Sequence, residues 1–345
     1  MKILIDIHQG IGDVIHCLPL IENVRYTYPD AYIIILLSNR SNGALLLDYL
    51  YDEIVIWKEL DRNHIIDLRR KRIDLAFLNV VTNMYKGVFF LKQIVGVRTV
   101  VSEYAFSART GGYVFVKQDP NMHRVDRNLR LSDLCGLQRK KSIPDLTRRV
   151  EEIRTKEFIS KAKIDPEGKG IIGICMGSGA TGARKFLRTI NKNVKQWPVN
   201  NVVNLCSKLI EDSYILYIFG GVAEKEIGKA VSTLNSSLIV DYTGECTLEE
   251  TMDLVSRCAL CVGVDTGVMH MAAALNIPTV ALFGPTNPEQ FAPYSSKNVN
   301  ITAGLKCQYC YGTKEMAYCE DNCCMNRIEA DEVYEACLDS LKTFA

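Results

Sequence analysis

Cys261-Val262-Gly263-Val264-Asp265-Thr266-Gly267-Val268-Met269-His270-Met271-Ala272-Ala273-Ala274 is the stretch from which the architecture can be read. The apolar run ending at Val264 reads as a buried strand of a parallel sheet. Asp265 and Thr266 are good N-cap residues, and the alanine-rich tail is a strong helix former. The turn between them points the first N–H groups of a helix, with its positive dipole end, at whatever lies above the sheet. That is an anion site, and phosphate is its commonest guest. Gly267 lets such a guest approach the backbone, the Thr266 hydroxyl can donate to it, and His270 lies one turn further on. A well-capped helix that binds nothing fits these residues equally well.

The same alternation runs outward in both directions. Apolar runs at 2–7, 31–37, 53–57, 73–79 and 93–101 alternate with helical patterns, and a helix is expected over 119–137. From 138 to 170 the composition turns polar and basic, with Pro144 and Pro166-Glu167-Gly168 and one helix expected over 151–163. The rhythm then restarts, with strands at 171–176, 214–219, 238–240 and 278–283 and helices at 199–211, 224–234 and 248–257. Strand and helix alternating at this spacing specify an α/β fold, a parallel sheet with helices on both faces. Two domains are expected, over 1–150 and 165–330, with a Cys-rich loop at 305–325 and a C-terminal helix at 330–345 packing back on the first. Ligands of such sheets bind outside the carboxyl ends of the strands, so two of them imply a cleft.

Composition narrows the function. At 345 residues, 48% hydrophobic and 23% charged, the chain reads as a soluble globular protein of two ordinary domains. A formal charge of +1 gives no bulk electrostatic case for nucleic acid. Arg69-Arg70-Lys71-Arg72 and Arg139-Lys140-Lys141 read as solvated helix faces, or as sites for an anionic acceptor or membrane surface. The longest apolar run, near 33–37, is strand-sized, and Asp6 spoils a signal-peptide reading of the first run, so a cytoplasmic enzyme is expected. Thirteen cysteines agree with that, since Cys175, Cys206, Cys258 and Cys261 fall in apolar segments as small buried hydrophobes.

Further turns come out on strand ends. Gly10-Ile11-Gly12-Asp13 opens a helix after the first strand, but Ile15 holds the place where a dinucleotide fingerprint needs glycine. Asp13 caps that helix or serves as general base for an acceptor hydroxyl. Gly177-Ser178-Gly179 ends a strand, and Lys195-Gln196-Trp197-Pro198 opens the next helix; Lys195 with Ser178 can neutralise a diphosphate. The basic insert 180–194, with Arg184, Lys185, Arg188 and Lys192, reads as a flap over the cleft. Gly220-Gly221 with Glu224 suits ribose hydroxyls or simple capping, and Phe283-Gly284-Pro285-Thr286-Asn287-Pro288 closes the last strand at the same sheet edge.

Together these residues resemble glycosyltransferase family 9, the heptosyltransferases of lipopolysaccharide-core assembly. The resemblance rests on Gly10-x-Gly12-Asp13 with Pro19, Gly177-Ser178, Lys195-x-Trp197-Pro198, Gly220-Gly221, Asp265-Thr266-Gly267-x-x-His270-x-Ala272-Ala273 and Phe283-Gly284-Pro285-Thr286-x-Pro288. It implies a GT-B architecture of two Rossmann-like, doubly wound domains, the first for acceptor and the second for a nucleotide-diphospho-sugar. By that resemblance Asp13 is the catalytic base on the acceptor-side loop of Gly10 and Gly12. Ser178, Lys195 and the Thr266-Gly267 turn hold the diphosphate, and Asp265 and His270 lie at the donor. The resemblance further implies inversion at the anomeric centre without a divalent metal, and the chain carries no Asp-x-Asp motif. The insert between Gly179 and Lys195 is longer than the family's usual connection, and no further family motif follows Pro19 in the acceptor half.

Cys307-x-x-Cys310, Cys319 and Cys323-Cys324 crowd a loop with little core of its own. Such thiolates suit a tetrahedral zinc or iron of structural role, or stay reduced thiols. Cys307, Cys310, Cys319 and Cys324 are the expected ligands, with Cys323 as the alternative fourth; some autotransporter heptosyltransferases in the family carry a four-cysteine iron site there. The resulting reading is an inverting glycosyltransferase, ADP-heptose being the favoured donor and a saccharide, lipid-linked or protein species the acceptor. A peripheral place at the membrane and an oligomeric state stay open. A sugar-nucleotide epimerase and a non-catalytic nucleotide-sugar-binding protein are the alternatives.

Overall fold

The computed structural model describes residues 1–7, 10–79, 84–103, 111–117, 119–155, 169–177, 194–319 and 321–344. The expected roles of Ser178 and of the insert up to 193 therefore lie outside the described residues. The chain divides into two compact units, Met1–Arg149 and Val150–Ala345.

The first unit contains β1 (Lys2–Ile7), α1 (Ile11–Thr27), β2 (Tyr32–Leu37), β3 (Glu53–Ile56), α2 (Arg62–Arg70), β4 (Leu75–Leu78), α3 (Met84–Phe89), β5 (Thr99–Ser102), β6 (Tyr113–Phe115) and α4 (Arg124–Leu134). The sheet order is β3-β2-β1-β4-β5-β6, every pair parallel. Strands such as Ile3 to Ile7 and Ile33 to Leu37 are buried residue after residue because helices cover both faces. The expected strand at 93–101 begins later, since α3 runs on as a π turn over Phe90–Val95 and ends at Gly96, whose φ of 81° is left-handed. The helix expected from 119 starts at Arg124. Inside this unit Arg127 and Glu103 form a fully buried ion pair, Arg127 Nε donating to Glu103 Oε1 over 2.9 Å.

The division between the units falls within α5 (Thr147–Thr155), the described part of the helix expected over 151–163. The second unit contains β7 (Ile171–Cys175), α6 (Val199–Glu211), β8 (Ile215–Ile218), α7 (Lys225–Ser232), β9 (Ile239–Asp241), α8 (Leu248–Val255), β10 (Leu260–Val264), α9 (Gly267–Ala274), β11 (Thr279–Phe283), α10 (Pro288–Phe291), β12 (Asn298–Thr302), α11 (Cys323–Asn326) and α12 (Ala330–Phe344). Its order, β12-β11-β10-β7-β8-β9, is all parallel. Both sheets are doubly wound: the strand order reverses beside the first strand of each unit. That switch point lies between β1 and β4 in one unit and between β7 and β10 in the other.

The C-terminal helix α12 packs on the second sheet. Ala330, Val333 and Cys337 form an apolar stripe at helical spacing, and it joins the core of the second sheet with Trp197, Leu282 and Ile301. No helix among the described residues is long and apolar enough to cross a membrane.

Candidate functional site

The switch point of the second sheet is where the sequence motifs meet. Val264 ends β10, Thr266 takes the N-cap position of α9 with extended backbone (φ −144°, ψ 160°), and its side chain makes no capping bond to that helix. Asp265, between them, is almost buried. Its Oδ2 accepts a hydrogen bond from Lys195 Nζ at 2.7 Å, and His270 Nε2 lies 3.5 Å from its Oδ1. Burial pushes the Asp265 carboxyl up. The Lys195 charge and the His270 and Lys195 hydrogen bonds outweigh that and hold it well below the usual carboxylate range. Lys195, Asp265, Thr266, Gly267 and His270 therefore do gather, around the start of one helix.

Lys195 is fixed by its downstream neighbours. Trp197 is fully buried in the core and its Nε1 donates to Ile328 O at 2.9 Å, while Pro198 caps α6. The Lys-x-Trp-Pro pattern is thus an anchor two residues from a cation, and the cation is left at the sheet edge.

Glu224 comes to the same rim but is already engaged. It is buried, and its Oε2 accepts from Gly221 N at 2.8 Å, so the capping reading of the sequence is the one observed. It lies in a slot made by two glycines. A Cβ on Gly177 would fall 1.9 Å from Glu224 Cγ, and one on Gly220 2.7 Å from Glu224 Cβ. The glycines just beyond β7 and β8 make room for this carboxylate.

In the first unit, Asp13 sits in the first turn of α1 and its Oδ2 accepts from Gly10 N at 3.1 Å. Gly10, Gly12 and Asp13 come soon after β1, at the switch point of their own sheet. The capping role is observed here too, and a carboxylate with two oxygens can cap with one and act with the other.

The cysteine segment does not assemble as expected. Among the described residues no three His, Cys, Asp or Glu side chains converge as a metal-ligating group. Cys307 is exposed, Cys310, Cys319 and Cys323 are half-buried and Cys324 is buried. The thiols are nonetheless neighbours. Burial, then the approach of Cys310, Cys319, Cys323 and Cys307, pushes Cys324 up to about 12, and burial, then Cys307 and Asp321, pushes Cys323 up as well. Cys324 Sγ also donates to Asn322 Oδ1 at 3.7 Å. The donor set suits a soft metal, but its arrangement is not that of a closed tetrahedral site.

Thr286, from the turn that closes β11, is buried with its hydroxyl unpartnered among the described residues. One residue at this rim carries no local sequence signal: the Tyr311 ring lies over Lys195. Tyr311 sits in a segment without periodicity, so only the fold reveals its neighbour.

Two doubly wound parallel sheets, one with a lysine, an aspartate and a helix start at its switch point, are the build of the GT-B class of glycosyltransferases. Comparison with known proteins carries this further. The sequence model of glycosyltransferase family 9 (heptosyltransferase) matches residues 111–319. Lipopolysaccharide heptosyltransferase 2 of Escherichia coli K12 is 26% identical over 327 residues, 86% of each chain. The structure of E. coli ADP-heptose lipopolysaccharide heptosyltransferase II superposes with a TM-score of 0.74 at 22% identity, over 99% of both chains. The iron-containing dodecameric glycosyltransferase TibC of enterotoxigenic E. coli gives a TM-score of 0.59 at 10% identity, over 100% of this chain and 77% of that one. The chain belongs to glycosyltransferase family 9, the heptosyltransferases. It is an enzyme that transfers a sugar, and membership decides against the epimerase and the non-catalytic readings.

Proposed function

We propose that this enzyme transfers heptose from ADP-heptose to a hydroxyl of a saccharide acceptor of the lipopolysaccharide core, with inversion at the anomeric carbon. The observation that carries the reading is the meeting of Lys195, Asp265, His270 and the α9 start at the switch point of the second sheet. An ammonium and the first N–H groups of a helix form an anion site, and a diphosphate fits both. ADP-heptose, for which the E. coli structural neighbour is named, carries a diphosphate.

In this reading the second unit binds the donor and the first binds the acceptor. Asp13 takes the proton of the acceptor hydroxyl. The oxygen attacks the anomeric carbon from the face opposite the diphosphate. The bond to the diphosphate oxygen breaks, its electron pair leaves with ADP, and the configuration inverts. Lys195, the Thr266 hydroxyl and the Gly267 backbone stabilise the charge that develops on the leaving group, with Ser178 as a further donor. Asp265 and His270 keep Lys195 and the helix start in place, and Glu224 holds the ribose-side turn.

The chemistry needs no metal step. A zinc or iron held by Cys307, Cys310, Cys319 and Cys324 would be structural and would require these thiols to draw together around it; elemental analysis of the purified protein decides between that and reduced thiols. A lipid-borne acceptor would place the enzyme against the cytoplasmic face of the membrane.

The test is Asp13→Asn. General-base catalysis contributes about 10²–10⁴-fold, so transfer should fall by at least about 100-fold while ADP affinity stays within a few-fold. Turnover like that of the wild type would remove Asp13 from the mechanism.

A further inference from the structure

Tyr311 belongs to the cysteine-rich segment, yet its ring centroid is 4.6 Å from Lys195 Nζ. Hydrogen bonds hold it there. Tyr311 N donates to Pro285 O at 2.8 Å, Tyr309 N to Gly284 O at 3.4 Å, and Gln308 Nε2 to Phe283 O at 3.3 Å. Residues 308–311 therefore run along the turn that closes β11. The same turn is backed by α11: a Cβ on Gly284 would come within 2.5 Å of Met325 Sδ and 2.9 Å of Cys324 Sγ. The segment is seated on the sheet edge, and Tyr311 is the residue it turns toward the lysine.

Lys195 is thus held by two kinds of partner. The Asp265 carboxylate, at 2.7 Å, offsets its charge. An aromatic face attracts an ammonium through its quadrupole and carries no net charge of its own. Where the lysine must meet a diphosphate, the second kind of contact fixes the ammonium without competing for it. We propose that Tyr311 is a donor-positioning residue, its ring holding the Lys195 ammonium where it meets the diphosphate, so that the cysteine-rich segment forms a wall of the donor subsite. This rests on the role given to Lys195 above.

Tyr311 is 39% exposed, so its truncation leaves the core intact. Calorimetric titration of ADP into the full chain, with steady-state kinetics, tests the proposal. Tyr311→Ala should weaken ADP binding about fivefold and raise the donor KM by the same factor, with kcat and acceptor KM within about twofold. Tyr311→Phe, which keeps the ring, should restore the wild-type values. In a Lys195→Ala background Tyr311→Ala should have no further effect, because the contact it removes is already gone. Equal losses in both backgrounds, a Phe variant as weak as the Ala variant, or wild-type affinity in Tyr311→Ala would each overturn the proposal. Wild-type protein that fails to bind ADP would overturn the donor-site reading and this proposal together. ADP binding that is unmoved by Tyr311→Ala would overturn this proposal alone.

Discussion

Asp265 has two cationic or protonatable partners and little water, and its ionisation is therefore tied to folding. Its carboxyl titrates below the usual range in the folded chain, so it contributes stability that is fully present above the unfolded value of about 3.9. That contribution is lost as pH falls through the folded value. Asp265→Asn leaves Lys195, 15% exposed, without its counter-charge. The cost should be on the order of 2–3 kcal/mol at pH 7, less than for a fully buried pair because the lysine keeps some contact with solvent. Urea unfolding should show the gap between wild type and variant narrowing from pH 7 to pH 3, and a gap independent of pH would refute the linkage. Lys195 and Asp265 are each singled out by the sequence as candidates, one for a diphosphate and one for the donor. Their pairing is not, because they are 70 residues apart and no local pattern encodes it. Glu224 shows the same limit: Gly220-Gly221 and an acid mark a turn, but only the fold shows Gly177 across from it, vacating space for the same side chain.

At the scale of elements, what the alternation of apolar and polar residues makes legible is whatever is buried on both faces. The strands β1, β2, β7, β10 and β11 fall within a residue or two of where their apolar runs place them. The edge strands β6 and β12 are missed. Tyr113–Phe115 is short and half-exposed, and Asn298-Val299-Asn300-Ile301-Thr302 is a polar-rich strand with one deeply buried residue. The start of α6 is different, since Trp197-Pro198 marks it in the sequence and the structure supplies the reason. Trp197→Phe removes the bond to Ile328 O and leaves a small void, although Asn201 Nδ2, at 3.1 Å, still satisfies that carbonyl. The loss should be about 1–3 kcal/mol in urea unfolding. Because Lys195 is two residues away, ADP affinity should fall as well. Lost stability with unchanged ADP affinity would show that the anchor does not position the lysine. Gly177→Ala makes the complementary test on the end of β7: the methyl displaces Glu224, and overpacking of this kind costs about 1–3 kcal/mol.

On the scale of the whole molecule, the chain consists of two units, each with a six-stranded parallel sheet and its own core. The strands are legible from sequence, while their order follows from the right-handed crossover of parallel strands and is not written in any one segment. The placement of α12 shows where the sequence stops informing. Its apolar stripe is legible, but a stripe says only that a helix is covered, and the second sheet is what covers it. Two cores and one proposed donor site lead to a calorimetric expectation. ADP that binds the second unit in its folded form alone stabilises that unit by about 2.7 kcal/mol at a hundred times its dissociation constant. For a unit of this size that should raise its midpoint by roughly 5–10 °C. Lys195, Asp265, Thr266, Gly267 and His270 all belong to the second unit, so the transition of the first should stay where it is. Scanning calorimetry with and without ADP separates the cases. One transition moving past a stationary one supports a donor site contained in the second unit. Two transitions that both shift with ADP would mean that residues of the first unit bind the nucleotide, and the assignment of donor to the second unit alone would be wrong.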